Sequence, residues 1–390
     1  MLCPLMRSSN DPAIIAEKTY SYTTCNRLTA GIAKHLRTQG IQPGDVIAFI
    51  PTPSIESILT FFALFRLGCI AFPLSHRLPK AQIESLLNKA KARLITPTLA
   101  PPATPTPPNF QRLATYMLTS GSTAQPKIAI HTLANHIYSA LGVNSYFSLS
   151  SSDRWELSLP LFHISGLAIL FRCFLAGAAV TINQPFTHIS WVPTQLMRAE
   201  DPPACKAILI GGAPLSTSLA LQASHLPIYP SYGLTEMSST VTIKNQLLPY
   251  RRLKHIDDEI HVGGPTLFHG YLGQAPQTTW FATGDIEKNG ISRKDRLFIS
   301  GGENIQPEEI ERALYLIGIK RACVVPVPDP EFGMRPVAFV DKVESLDDLS
   351  RKLEPYLARF KHPIALFPLS ESTKMNYSML IEQAIASMHR

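Results

Sequence analysis

The chain predicts an α/β fold: a large N-terminal domain of parallel-rich sheets packed with helices, then a small α+β C-terminal domain. Three observations carry this. Helix and strand patterns alternate through the first hundred residues, as in folds with buried parallel strands. Near residue 293 the composition shifts from Gly- and Pro-rich turns to a compact α+β pattern. Apolar residues make up 45% of the 390 and charged residues 17%, which supplies a sizeable core and excludes a highly charged disordered chain. The boundary is placed between domains 1–293 and 294–390, with a hinge at Asp295.

The first helix is expected where Leu28, Ile32 and Leu36 recur at helical spacing, ending at Gly40 as a C-terminal cap. "QPGDVIAFI" reads as a turn and a short buried strand. "SIESILTFFALFRLGCIAFPL" reads as a helix and a strand, and "AQIESLLNKAKARLIT" repeats the scheme. Residues 97–108 hold six prolines in twelve positions, which predicts a polyproline-like surface loop within the large domain. After residue 293 come a strand in "RLFISGG", a helix in "PEEIERALYLIG", strands in "ACVVPVP" and "PVAFV", and a helix in "SLDDLSRKLEPYLARF". No internal repeat is found.

Net charge is +7, too mild and scattered to argue for nucleic acid, though it favours anionic partners. The densest basic run, "YRRLKH" from Tyr250 to His255, reads as a solvated loop. Six scattered cysteines without a C-x-x-C pair suit reduced thiols in a cytoplasm. The N-terminus is too short for a signal segment, and Pro160, His163 and Arg172 interrupt the most apolar stretch. A cytoplasmic protein without a membrane span is expected.

"YMLTSGSTAQPK" (Tyr116 to Lys127) is the strongest local signal. Its hydroxyls, free backbone N–H groups and closing lysine can wrap phosphate oxygens, although a flexible polar turn is the bland alternative. It is not a Walker A loop. "YPSYGLTEMSS", "FATGDIEKNG" and "SRKDRLFISGGENIQPEEIE" follow in that order. Together these blocks resemble the adenylate-forming superfamily of acyl-CoA ligases, luciferases and peptide-synthetase adenylation domains, over nearly the whole chain.

The resemblance implies a two-step reaction with ATP, magnesium and coenzyme A. A carboxylate attacks the α-phosphate, and a thiol then displaces AMP. By the same resemblance, Thr119, Ser120, Gly121, Ser122, Thr123 and Lys127 hold the β- and γ-phosphates. Thr235 contacts the α-phosphate, and Glu236 helps hold magnesium. Tyr232, next to Gly233, stacks on adenine beside the backbone of Gly211, Gly212 and Ala213. Asp285 takes both ribose hydroxyls, as a carboxylate with two oxygens can, and Arg293 supports it. The C-terminal domain becomes a mobile lid that swings about Asp295 and delivers Lys374 to the α-phosphate. Three positions depart from the family pattern: Ala124, Ser292 and Thr373 stand where glycine is usual. A left-handed backbone at Ala124 would cost roughly 1–2 kcal/mol.

"LPLFHISGLAILFRCFLAGAAV" and "SWVPTQLMR" resemble the o-succinylbenzoate–CoA ligase branch, which serves menaquinone synthesis. That branch implies a dicarboxylate substrate. Arg172, a cation inside an apolar helix, needs a partner, and a substrate carboxylate would be one. The alternative for Arg172 is solvent or a protein carboxylate. His163 could line the acyl pocket or order its loop, and Ser165 and Gly166 could line it or permit a tight turn. Other open functions are another aryl- or fatty-acid–CoA ligase, a carrier-protein-loading adenylation enzyme, and a catalytically weak nucleotide-binding homologue.

Overall fold

The computed structural model describes residues 7–106, 113–119, 127–199, 204–213, 215, 217–277, 279–287, 291–293, 296–300, 303–342, 345–369 and 377–388. Contacts divide the chain into two compact units, one of Met1–Leu215, Ala223–Lys254 and His261–Phe281, the other of Ser216–Gln222, His255–Ile260 and Ala282–Arg390.

The first unit is built on two sheets. One runs in the order Gly270–Tyr271, Lys127–Thr132, Leu113–Thr119, Ile70–Pro73, Val46–Phe49, Arg93–Leu94. Its Ile70, Val46 and Arg93 strands pair in parallel, and the two edge pairings beyond Leu113–Thr119 are antiparallel. The second sheet has nine strands. Its centre is parallel: Ile228–Leu234, Ala207–Ile210, His188–Trp191, Arg154–Glu156, Ala179–Thr181 and Pro12–Ile15 lie side by side.

Four helices fill one apolar cluster with residues of both sheets: Tyr22–Thr38, Ile55–Leu67, Leu133–Phe147 and Ile164–Ala176. The first is capped by the Ser21 side chain and closes with Gly40 at φ +82°, as its sequence predicts. Ile55–Leu67 is apolar nearly all round, and such a helix has to be buried. Its Phe62 ring packs edge-on against Phe174 at 5.2 Å.

The described part of the proline-rich segment, residues 97–106, lies on the surface of this unit but is tied down. Ala103 N–H donates to Arg27 O (3.1 Å), and buried Arg66 donates to Thr106 O (3.1 Å) and to the Asn26 side chain. At Gly31 the first helix touches the segment so closely that a Cβ would come within 2.0 Å of Pro101 O. The "YRRLKH" run is not a solvated loop. Its latter part is the strand Arg252–Ile256, and Arg251 is buried.

In the second unit the Ala322–Asp329 and Gly333–Val340 strands pair antiparallel, and the period of two sorts their side chains onto two faces. Val324, Ala338 and Val340 face the helices Pro307–Leu316 and Leu346–Leu353. Cys323, Val325, Val337 and Phe339 face the helix Tyr377–Met388. The helix expected in "SLDDLSRKLEPYLARF" stops at Leu353, where Pro355 follows. The long continuous stretch of this unit runs from Ala282, ahead of the 293/294 boundary, and includes the antiparallel pairing of Asp285–Glu287 with Ile291–Arg293. The described cysteines, Cys25, Cys69, Cys173, Cys205 and Cys323, are all free thiols.

Candidate active site

Parallel strands bring their carboxyl ends to one edge of a sheet, where an α/β fold leaves its ligand crevice. Ala207–Ile210 ends there and runs into Gly211, Gly212 and Ala213, with Gly212 at φ +80°. Its neighbour Ile228–Leu234 carries half-buried Tyr232 and then Gly233. A Cβ on Gly233 would stand 2.4 Å from Ser239 O, so glycine lets the two backbones meet.

Thr235 and Glu236 follow in a single 3₁₀ turn, Thr235–Met237. The turn is held at several points. His131 Nε2 bonds the Thr235 carbonyl at 2.7 Å. A carbonyl only accepts, so Nε2 carries the proton and His131 is a donor. Burial pushes the His131 pKa down to about 4, against the opposing pull of that bond, and the ring is neutral. Phe268 N–H donates to Glu236 O at 2.8 Å, and the Tyr271 hydroxyl donates to Glu236 Oε1 at 2.5 Å. Ser139 Oγ donates to Ser238 O at 2.6 Å.

Among the described residues nothing bonds to Glu236 Oε2, and no cluster of three or more His, Cys, Asp or Glu converges. That donor set suits magnesium shared with a nucleotide, which takes one or two carboxylates and completes its octahedron with phosphate and water.

Leu113–Thr119 and Lys127–Thr132 form a hairpin whose last paired residues are Thr119 and Lys127. Thr119 is buried, and the Lys127 ammonium stands 5.1 Å above the Tyr271 ring. Ser120, Gly121, Ser122, Thr123 and Ala124 lie outside the described residues.

Helix Ile164–Ala176 starts at His163, an exposed residue in extended conformation at the N-cap. Ser165 is half-buried. Gly166 permits close packing, since a Cβ there would meet Pro160 O at 2.2 Å. Two turns on, Arg172 is 1% exposed. Its Nη2 donates to Thr240 Oγ1 (3.0 Å) and Ser239 Oγ (3.3 Å), its guanidinium lies 5.1 Å over the Trp155 ring, and its buried Nε has no partner among the described residues. No described carboxylate pairs with it. Burial lowers its pKa to about 10. Arg251 is lowered to about 9 by burial and then by Arg172, so two cations share the interior. Arg251 is satisfied by carbonyls: Thr240 O, Tyr138 O, Pro249 O and Ser139 O all accept from it.

In the second unit Asp285 is half-buried on Trp280–Glu287 and stands opposite Arg293 across the strand pair. Asp295, Thr373 and Lys374 lie outside the described residues.

Residues 5–102 and 96–272 match the family model of the AMP-binding enzymes. The chain belongs to the AMP-binding enzyme family. It is 35% identical to the 2-succinylbenzoate–CoA ligase of Salmonella typhimurium, over 90% of this chain and 88% of that enzyme. A point-substituted Escherichia coli MenE with bound OSB-AMS superposes with a TM-score of 0.84 at 30% identity, covering 98% of each chain. An o-succinylbenzoate coenzyme A synthetase (MenE) from Bacillus subtilis in complex with ATP and magnesium gives 0.86 at 26% identity, covering 97% of this chain and 99% of that one.

Two residues of this AMP-binding enzyme escape sequence reading: His131 and Tyr271. Each bonds a partner distant in sequence, Thr235 for His131 and Glu236 for Tyr271. A separate cavity of about 630 Å³ opens at the amino ends of the His188, Ala207 and Ile228 strands, opposite the site, and its Lys206 is already paired with Asp153 at 2.6 Å.

Proposed function

We propose that the protein is an AMP-forming acid–CoA ligase that acts on 2-succinylbenzoate, with ATP, magnesium and coenzyme A, in menaquinone (vitamin K2) synthesis. Kinship with 2-succinylbenzoate–CoA ligases over nine-tenths of the chain supports the ligase chemistry. Arg172 carries the choice of acid: it is a buried guanidinium with no described carboxylate to pair with. The succinyl carboxylate is the one activated, and the ring carboxylate is left to supply the missing negative charge.

In the first step a succinyl carboxylate oxygen attacks the α-phosphorus, and the bond to pyrophosphate breaks. In the second the coenzyme A sulfur loses its proton and attacks the acyl carbonyl, and the acyl–oxygen bond breaks to release AMP. Two anions meet in the first step, so the chain's task is to position donors and cations around them. We assign Thr235 to the α-phosphate, and Thr119, Ser120, Gly121, Ser122, Thr123 and Lys127 to the β- and γ-phosphates. Magnesium, held by Glu236 and phosphate oxygens, would neutralise charge on the departing pyrophosphate. Tyr232 takes the adenine face beside Gly211, Gly212, Ala213 and Gly233. Asp285 and Arg293 take the ribose, and Lys374 the α-phosphate and acyl carboxylate. His163, Ser165 and Gly166 line the acyl group. Residues 294–390 form the lid, hinged at Asp295. No helix among the described residues is long and apolar enough to cross a membrane, and we place the enzyme in the cytoplasm.

The test is pyrophosphate release with Mg-ATP and coenzyme A, comparing 2-succinylbenzoate with benzoate, 4-coumarate and octanoate. Release confined to 2-succinylbenzoate, with a thioester formed, is expected. Release with another acid alone would keep the ligase and discard the acid. No release from folded, ATP-binding protein would discard both.

A further inference from the structure

We propose that Tyr271 is a positioning residue that ties the phosphate-loop lysine to the magnesium carboxylate, so that one side chain sets both. The inference rests on the assignment of Glu236 to magnesium and Lys127 to phosphate. Tyr271 lies on the short strand Gly270–Tyr271, which pairs with Lys127–Thr132 and puts Tyr271 opposite Ala129, two residues past Lys127. Backbone bonds on either side lock that register: His269 N–H to Ile130 O at 2.8 Å and Leu272 N–H to Ile128 O at 2.9 Å. From there the ring offers its face to the Lys127 ammonium at 5.1 Å and its hydroxyl to Glu236 Oε1 at 2.5 Å.

The two contacts do different things. A phenol hydroxyl donating to one carboxylate oxygen fixes the rotation of that carboxylate and presents the other oxygen, Oε2, outward. This is how outer partners orient the ligands of a metal, and losing one typically costs on the order of 10- to 100-fold in metal affinity. The ring face steadies the Lys127 ammonium by cation–π attraction without taking a hydrogen from it, so its donors stay available for phosphate. Tyr271→Phe cuts the first link and keeps the second, whereas Tyr271→Leu cuts both.

The experiment titrates Mn²⁺ against the full-length protein with ATP and no acid, reading free Mn²⁺ by electron paramagnetic resonance. ATP affinity without metal is measured alongside. Tyr271→Phe is expected to weaken Mn²⁺ binding on the order of 10-fold and to leave metal-free ATP affinity unchanged, while Tyr271→Leu weakens both. In a double-mutant cycle, Tyr271→Phe adds nothing once Glu236→Gln is present. Normal Mn²⁺ affinity in Tyr271→Phe, with a loss in Glu236→Gln, overturns the role of Tyr271 alone. Normal affinity in Glu236→Gln overturns the metal assignment and the inference with it. If Tyr271→Phe does not fold, 3-fluorotyrosine at position 271 keeps the shape and changes only the donor strength; unchanged Mn²⁺ affinity there overturns the proposal.

Discussion

Two arginines, half-buried Arg296 in the second unit and buried Arg172 in the first, are treated in opposite ways. Arg296 in the second unit meets two carboxylates, Glu308 and Glu311, each at 2.6 Å. Burial alone would lower its pKa, and the two carboxylates outweigh burial and raise it. Arg172 in the first unit is more deeply buried and meets hydroxyls, a tryptophan face and a second arginine, with its pKa lowered instead. A fold normally supplies the counter-charge of a cation it buries, because desolvating an unpaired charge costs several kcal/mol. Where no described carboxylate supplies the counter-charge, a ligand is the natural place to find it. Arg296 thus serves the fold, and Arg172 is the cation we propose for the substrate.

The same substitution at both sites puts this contrast at risk. Arg296→Met leaves Glu308 and Glu311 facing each other and is expected to destabilise by about 3–5 kcal/mol, measured by urea denaturation. Arg172→Met removes a desolvated charge that no described carboxylate compensates, and it should change stability by less than about 1 kcal/mol. Equal losses at the two sites would mean that Arg172 is structural too. The next effect is on binding. Arg172→Met should raise the KM for 2-succinylbenzoate on the order of 10- to 100-fold, the worth of a charge-assisted hydrogen bond, and leave the KM for ATP unchanged. A proportionate rise in both would place Arg172 outside the acid pocket.

What the sequence made legible follows from how local each signal is. The helix Tyr22–Thr38 and its closing glycine were readable because a 3.6-residue period and a cap lie within one short stretch. Thr235 and Glu236 stood out together because they lie in one short block, and the structure folds that block as a single turn. His131 and Tyr271 were not: their partners lie 104 and 35 residues away, in the turn that follows a strand of the other sheet. Arg251 misled the reading of its basic run for another reason. Backbone carbonyls receive its donors, and carbonyls leave no mark in a sequence. Arg172 was conspicuous as a cation among apolar neighbours, but its hydroxyl partners became visible only when the strand Ser239–Ile243 was laid against its helix.

The smallest effect concerns a group that the fold keeps neutral beside the same tryptophan. His188 stacks on Trp155 at 5.1 Å, is nearly fully buried, and shares its Nδ1 with Thr187 Oγ1 at 2.8 Å. Asp153 lies 3.9 Å away, but its charge is engaged by Lys206 at 2.6 Å. Burial lowers the His188 pKa to about 4, Lys206 adds to the lowering, and Asp153 only partly opposes it. In the unfolded chain the ring titrates near about 6.5. Between these values the unfolded state binds the extra proton, so the stabilisation is complete above about 6.5 and is lost as pH falls toward 4. At pH 5.5 the loss from this ring is about 1.4 kcal/mol. His188→Phe keeps the stacked ring without the proton site, so its stability difference between pH 7.5 and 5.5 should be smaller than that of the parent by this amount. Parallel pH profiles would show that the interior around Trp155 accepts a second positive charge. In that case Arg172 would not be short of a counter-charge either, and its assignment to the substrate would lose its physical basis.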